Sequence, residues 1–126
     1  MNTKKKLLYG DLVGQIVGAP FEVHNVLGYG FLEKVYENAL VVELAKRGVK
    51  VVAQKALQVK HKDAIVGDYV ADLIVEDKVI VELKAEDTYN KQHEAQLLNY
   101  LKATGLKVGV LINFGRTKCE FKRLVM

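Results

Sequence analysis

The chain has 126 residues, half of them hydrophobic and 27% charged, with a formal net charge of +4. That length and balance describe one soluble globular domain, residues 1–126, large enough to bury its own core. A lone Cys119 excludes an intramolecular disulfide, no Cys/His cluster has the spacing of a zinc site, and no apolar run is long enough to span a bilayer. The apolar stretch after Lys4-Lys5-Lys6 is interrupted at Gly10-Asp11, too early for a secretion signal, so a reduced, cytoplasmic setting and no membrane partner are expected. The positive excess permits contact with a polyanion, although much of it could sit in the basic N-terminal start.

In chain order, Leu8, Leu12, Ile16 and Val23 recur at helical spacing and predict a first helix from about Lys6 to Val26, kinked or restarted at Pro20. Gly28-Tyr29-Gly30 breaks it. A second helix from Phe31 to about Arg47 shows an apolar stripe of Leu32, Val35, Leu40 and Leu44, with Gly48 as its stop. The period then changes to two. Strands are expected over Lys50–Lys60, Ile65–Val75 and Lys78–Ala85, with a bend or bulge at Gly67. Thr88 or Asn90 could cap a third helix that ends at Gly105. Val108–Ile112 reads as a nearly all-apolar internal strand, and Glu120–Val125 as an edge strand. This order suggests an α/β fold, a mixed central sheet flanked by helices.

The charges inside the apolar strands matter most. Asp72 interrupts Tyr69-Val-Ala-Asp-Leu-Ile-Val75, and Glu82 and Lys84 interrupt Val79-Ile-Val-Glu-Leu-Lys-Ala85. Buried charges are costly unless paired, solvated or metal-bound. Alternation puts Glu82 and Lys84 on one strand face, and a turn at Glu76-Asp77-Lys78 would bring Asp72 near Glu82. Two carboxylates beside an ammonium suit a hard divalent cation and a phosphate oxygen. A structural ion cluster, or a solvent-facing sheet surface, is the alternative.

Two helical groups accompany them. His93, Gln96 and Tyr100 share a helix face; Gln96 and Tyr100 can bind phosphate or stack on a base, or can instead satisfy a backbone group and the core boundary. Glu33, Tyr36 and Glu37 lie one turn apart at the start of the second helix, where a carboxylate also complements the helix dipole. His24 reads as a hydrogen-bonded packing residue, His61 as a solvated turn residue and Cys119 as an ordinary strand residue. The glycines at 28 and 30 follow a helix and lack a third glycine, unlike a nucleotide-binding loop.

Taken together, Gly30-x-x-Glu33-x-x-Tyr36, Asp72, Glu82-Leu-Lys84 and Gln96-x-x-x-Tyr100 resemble the GxxExxY protein family, a branch of the PD-(D/E)XK nuclease-like superfamily. The resemblance runs from about Tyr9 to Val125 and includes Leu97–Leu101 and Leu111–Gly115. Tyr29 stands where that pattern leads one to expect proline. The resemblance implies a restriction-endonuclease-like core (α-β-β-β-α-β), here with an extra N-terminal helix and a C-terminal edge strand. It implies Mg²⁺ or Mn²⁺ held by Asp72 and Glu82 and completed by Glu33. Lys84 would act on the attacking water or on the charge developing at phosphorus. Gln96 and Tyr100, with Tyr36, would support the site and contact nucleic acid.

The leading expectation is therefore a metal-dependent nuclease acting on DNA, with Glu33, Asp72, Glu82 and Lys84 converging on one concave site and Gln96 and Tyr100 on its rim. A non-catalytic nucleic-acid-binding or assembly module on the same fold is the alternative, another phosphate-ester hydrolase is a third, and a homodimer is left open.

Overall fold

The computed structural model describes residues 8–126. Helix α1 (Gly10–Leu27) runs through Pro20 as one helix, and α2 (Glu33–Lys46) follows the Gly28-Tyr29-Gly30 break. Strands β1 (Val51–His61), β2 (Ala64–Val75) and β3 (Val79–Lys84) come next. A 3₁₀ turn (Lys91–His93) leads into α3 (Glu94–Thr104), then β4 (Val108–Phe114) and β5 (Cys119–Val125). The part of the first expected helix that precedes Leu8 lies outside the described residues. The Asn90 side chain accepts from the Gln92 N–H at 2.9 Å and so caps the 3₁₀ turn, whereas α3 itself starts after His93 with no side-chain cap; α3 stops at Gly105, whose φ of 76° favours glycine.

The five strands form one sheet in chain order, β1-β2-β3-β4-β5. All neighbours are antiparallel except β3 and β4, which run parallel and are joined by the segment carrying α3. The β1–β2 register shifts between Val59 and Lys60, opposite Gly67, so the expected irregularity is a bulge. This is the α/β arrangement read from the sequence.

Apolar residues cover both faces of the sheet. On one, Ile16, Val23, Tyr36, Leu40 and Leu44 of α1 and α2 pack on Leu73, Val81, Leu83, Val110, Ile112 and Phe114. On the other, Leu97, Tyr100 and Leu101 of α3 pack on Ala71, Ile74, Ile80 and Leu111. Burying each such large aliphatic side chain contributes about 1.5–3 kcal/mol. A Cβ at Gly109 would lie 2.8 Å from Leu97, so glycine there sets how closely α3 approaches β4. The stripe expected on α2 needs correction: Leu32 is 80% exposed and Val35 is exposed, while Tyr36 and Glu37 are buried with Leu40 and Leu44. Leu32 is the residue before the helix, so the buried face is rotated toward the tyrosine.

None of the described helices is long and apolar enough to cross a membrane.

Candidate active site

The site lies where β2 and β3 separate. Their ladder pairs Val75 with Val79, Ile74 with Ile80 and Leu73 with Val81, and the next positions would be Asp72 and Glu82. There the carboxylates take over from backbone pairing. The Asp72 N–H donates to Glu82 Oε2 at 2.8 Å, and the Leu83 N–H donates to Asp72 Oδ2 at 2.8 Å. Each side chain crosses the opening to hold the other strand's amide. These charge-assisted bonds satisfy donors that the parted strands would otherwise leave unpaired. Meanwhile β3 stays paired with β4 as far as Lys84 opposite Asn113. The two carboxylates therefore meet at the fork, each bonded to the other strand's backbone.

Burial makes this a strained electrostatic site. Glu82 is 4% exposed, and its carboxyl is pushed up to about 8, first by burial and then by the Asp72 charge. Asp72 is also raised, mainly by burial, with the Leu83 amide, Lys84 and Gln54 opposing and Glu37 adding to it. Glu33, from the first turn of α2, is raised by burial; Lys84 pulls it down, and Asp72, Glu86 and Glu37 push it up. Glu33 and Lys84 thus belong to the same electrostatic cluster as Asp72 and Glu82.

The rim residues separate. Tyr100 is 5% exposed and raised, by burial and then by Glu82 and Asp72, so it forms an inner wall rather than an open rim. Gln96, one turn earlier, is exposed and its side chain makes no hydrogen bond among the described residues. His93 pairs instead with Glu86 at 2.7 Å. Tyr36 departs furthest from a substrate contact. It is fully buried, stacks on Phe114 with ring centroids 4.4 Å apart, and donates its hydroxyl to the Gly28 carbonyl at 2.5 Å. Its place is to anchor the loop that leads into Glu33.

Three further neighbours, outside the set of site residues expected from the sequence, surround these groups. Gln54 of β1, facing Asp72 between the pairs Ala53–Leu73 and Lys55–Ala71, has φ +53° and donates to Glu37 Oε1 at 2.7 Å. A non-glycine residue there costs energy, and such strain clusters at functional sites. Glu37, 5% exposed, is also held by Lys34 at 2.8 Å. Asn113, 2% exposed, both accepts from the Glu86 N–H and donates to the Glu86 carbonyl, each at 3.0 Å, and so fixes the chain just beyond Lys84. Glu37 was legible as a charge on the stripe between Glu33 and Leu40. Gln54 carried no sequence signal.

Hard oxygen donors with mutually raised carboxyls have the chemistry to take a divalent cation. The geometry is less complete than the sequence suggested. Among the described residues no three His, Cys, Asp or Glu side chains are close enough together to hold a metal, so Glu33 does not complete a three-carboxylate group with Asp72 and Glu82. One oxygen of each central carboxylate is committed to backbone.

A mixed sheet flanked by helices, with these carboxylates at the fork of two strands, defines a restriction-endonuclease-like α/β protein. The chain belongs to the PD-(D/E)XK nuclease superfamily, whose family model matches residues 10–124. No curated protein matches the sequence. Among solved structures, the crystal structure of SSO0001 is similar with a TM-score of 0.56 and 16% identity, over 93% of this chain and 60% of that one. That likeness concerns the fold, and this chain spans about 60% of SSO0001. An alkaline exonuclease, LHK-Exo from Laribacter hongkongensis, aligns at a TM-score of 0.42 and 9% identity, covering 90% of this chain and 81% of that one.

Proposed function

We propose that this chain is a divalent-metal-dependent nuclease that hydrolyses phosphodiester bonds in DNA, in the cytoplasm, and that it falls in the GxxExxY branch of its superfamily. The observation that carries the reading is the crossing of Asp72 and Glu82 at the fork of β2 and β3, with Lys84 on the same strand as Glu82. In hydrolysis, water adds in line to phosphorus, the ester P–O bond breaks, and the departing oxygen gains a proton. Asp72 and Glu82, with Glu33 moving inward, would hold Mg²⁺ or Mn²⁺, which supplies charge neutralisation and activates water. Lys84 places a fixed positive charge where negative charge develops on the phosphoryl oxygens. Tyr100 excludes water from the carboxylates, and the exposed Gln96 is free to bind phosphate.

The test is a cleavage panel of single-stranded, duplex and branched DNA and of RNA, with Mg²⁺ or Mn²⁺, beside Glu82→Ala. In single-turnover reactions Lys84→Ala should slow cleavage by about 10²-fold or more while equilibrium binding in Ca²⁺ changes little. Cleavage at the wild-type rate would remove that role from Lys84. The second reading, a non-catalytic nucleic-acid-binding or assembly module, is favoured by the lack of a three-ligand group among the described residues. It becomes the better account if the wild type binds DNA and cleaves none of these substrates.

A further inference from the structure

A cleft of about 430 Å³ opens between α3 and the projecting β1–β2 hairpin. Its walls carry Gln58, Lys60 and Tyr69 from the hairpin and Asn99 and Lys102 from α3, with no carboxylate among the lining residues. Lys60 and Lys102 are exposed, and neither makes an ion pair among the described residues. Tyr69 is 38% exposed and packs against Tyr100 with ring centroids 5.5 Å apart. Tyr100 in turn lies within the field of Glu82 and Asp72, so one pair of rings links the cleft to the site.

We propose that this cleft receives a single strand of nucleic acid next to the scissile phosphate, with Tyr69 as a stacking surface and Lys60 and Lys102 as phosphate contacts. The inference rests on the nuclease reading for its link to cleavage and on the cleft's own chemistry for binding. Two unpaired ammonium groups select a polyanion. A half-exposed aromatic face accepts an unstacked base of any sequence, and the side-chain amides of Gln58 and Asn99 add hydrogen bonds. The cleft has the volume of a small-molecule site and is bounded by a helix on one side and a hairpin on the other; it fits a nucleotide and not the breadth of a duplex. The substrate class is therefore single-stranded DNA or RNA, or a single-stranded flank of a branched molecule.

The experiment is fluorescence anisotropy in Ca²⁺ with the full chain, using a labelled oligothymidine of about twelve nucleotides and the same strand annealed to its complement. The single strand should bind at least about 10-fold tighter than the duplex. Lys60→Glu/Lys102→Glu should weaken single-strand binding about 10-fold or more and lower the slope of log affinity against log salt by about 1.4. Tyr69→Ala should weaken it by about 5-fold or more. A matched reversal on exposed positions away from the cleft, Lys46→Glu/Lys78→Glu, should have a much smaller effect. Equal or tighter duplex binding, or wild-type affinity in both cleft variants, overturns the inference. A wild type that binds single strands through these residues but never cleaves with Mg²⁺ or Mn²⁺ supports the cleft and overturns the nuclease reading. Cleavage that persists alongside unaltered single-strand binding in the cleft variants does the reverse.

Discussion

Strand β3 treats its two neighbours differently. Toward β4 it is paired along its whole length, from Val79 with Val108 to Lys84 with Asn113, and every residue of β4 is buried. Toward β2 the ladder stops after Leu73 and Val81, and the donors beyond it turn to the carboxylates of Asp72 and Glu82. Burial of aliphatic surface stabilises the first side. On the second, two like charges are held in a place that disfavours both. One strand thus carries close packing on one edge and buried like charge on the other, a local conflict of the kind that clusters at functional sites.

The largest effect should come from the closed side. Ile112→Ala removes a fully buried side chain from β4 and should cost about 2–5 kcal/mol by urea denaturation. A loss under about 1 kcal/mol would mean that the closed side does not dominate stability.

The open side should respond to pH with the opposite sign. A carboxyl raised to about 8 in the folded state binds its proton more tightly there than in the unfolded chain, where it titrates near 4.5. Its stabilising contribution is therefore full below the unfolded value and is lost as pH rises through about 8. Without metal, stability should fall by roughly 2–4 kcal/mol between those limits. Glu82→Gln should flatten the profile and exceed the wild type at its alkaline end. Stability that instead rises with pH across this window would contradict the burial of an uncompensated carboxyl.

Neutralising the same charges with a cation should restore what ionisation removes. Mg²⁺ or Mn²⁺ at 100 times its dissociation constant should add about 2.7 kcal/mol, read as a rise in Tm at neutral pH, and Asp72→Asn should abolish most of it. A wild type whose calorimetry shows no divalent-ion binding at millimolar metal would leave the fork a purely structural ion cluster.

The smallest effect belongs to the far, apolar end of β2 and β3. Lys50 meets Asp77 there at 3.2 Å, but both side chains are largely exposed. Lys50→Ala should cost no more than about 0.5 kcal/mol. A larger loss would show that the closed end depends on that ion pair as well as on its valines.

Much of this division was legible beforehand. Apolar periodicity placed the β2–β3 hairpin, a candidate cap and the stop at Gly105 bounded α3, and charges set in those apolar strands marked Asp72, Glu82 and Lys84. Glycines marked helix ends because few other residues enter the left-handed region freely. What periodicity could not supply was the rotation of α2. Leu32 and Val35 fit an apolar stripe on spacing alone, yet Tyr36 took the interior because its ring stacks on Phe114 and its hydroxyl reaches the Gly28 carbonyl.

Local sequence thus determined the elements, their approximate bounds and the charged positions on the central strands, because side-chain period and turn chemistry act over a few residues. Tertiary structure alone decided that β2 and β3 part after one particular pair and that Gln54 takes a strained conformation opposite Asp72. It alone decided that Glu37 is buried beside Gln54, and that Asn113 clamps the chain beyond Lys84. These outcomes depend on backbone donors and side chains brought together across the sheet from distant parts of the chain. Their energies arise from burial and charge proximity that exist only once the layers are assembled.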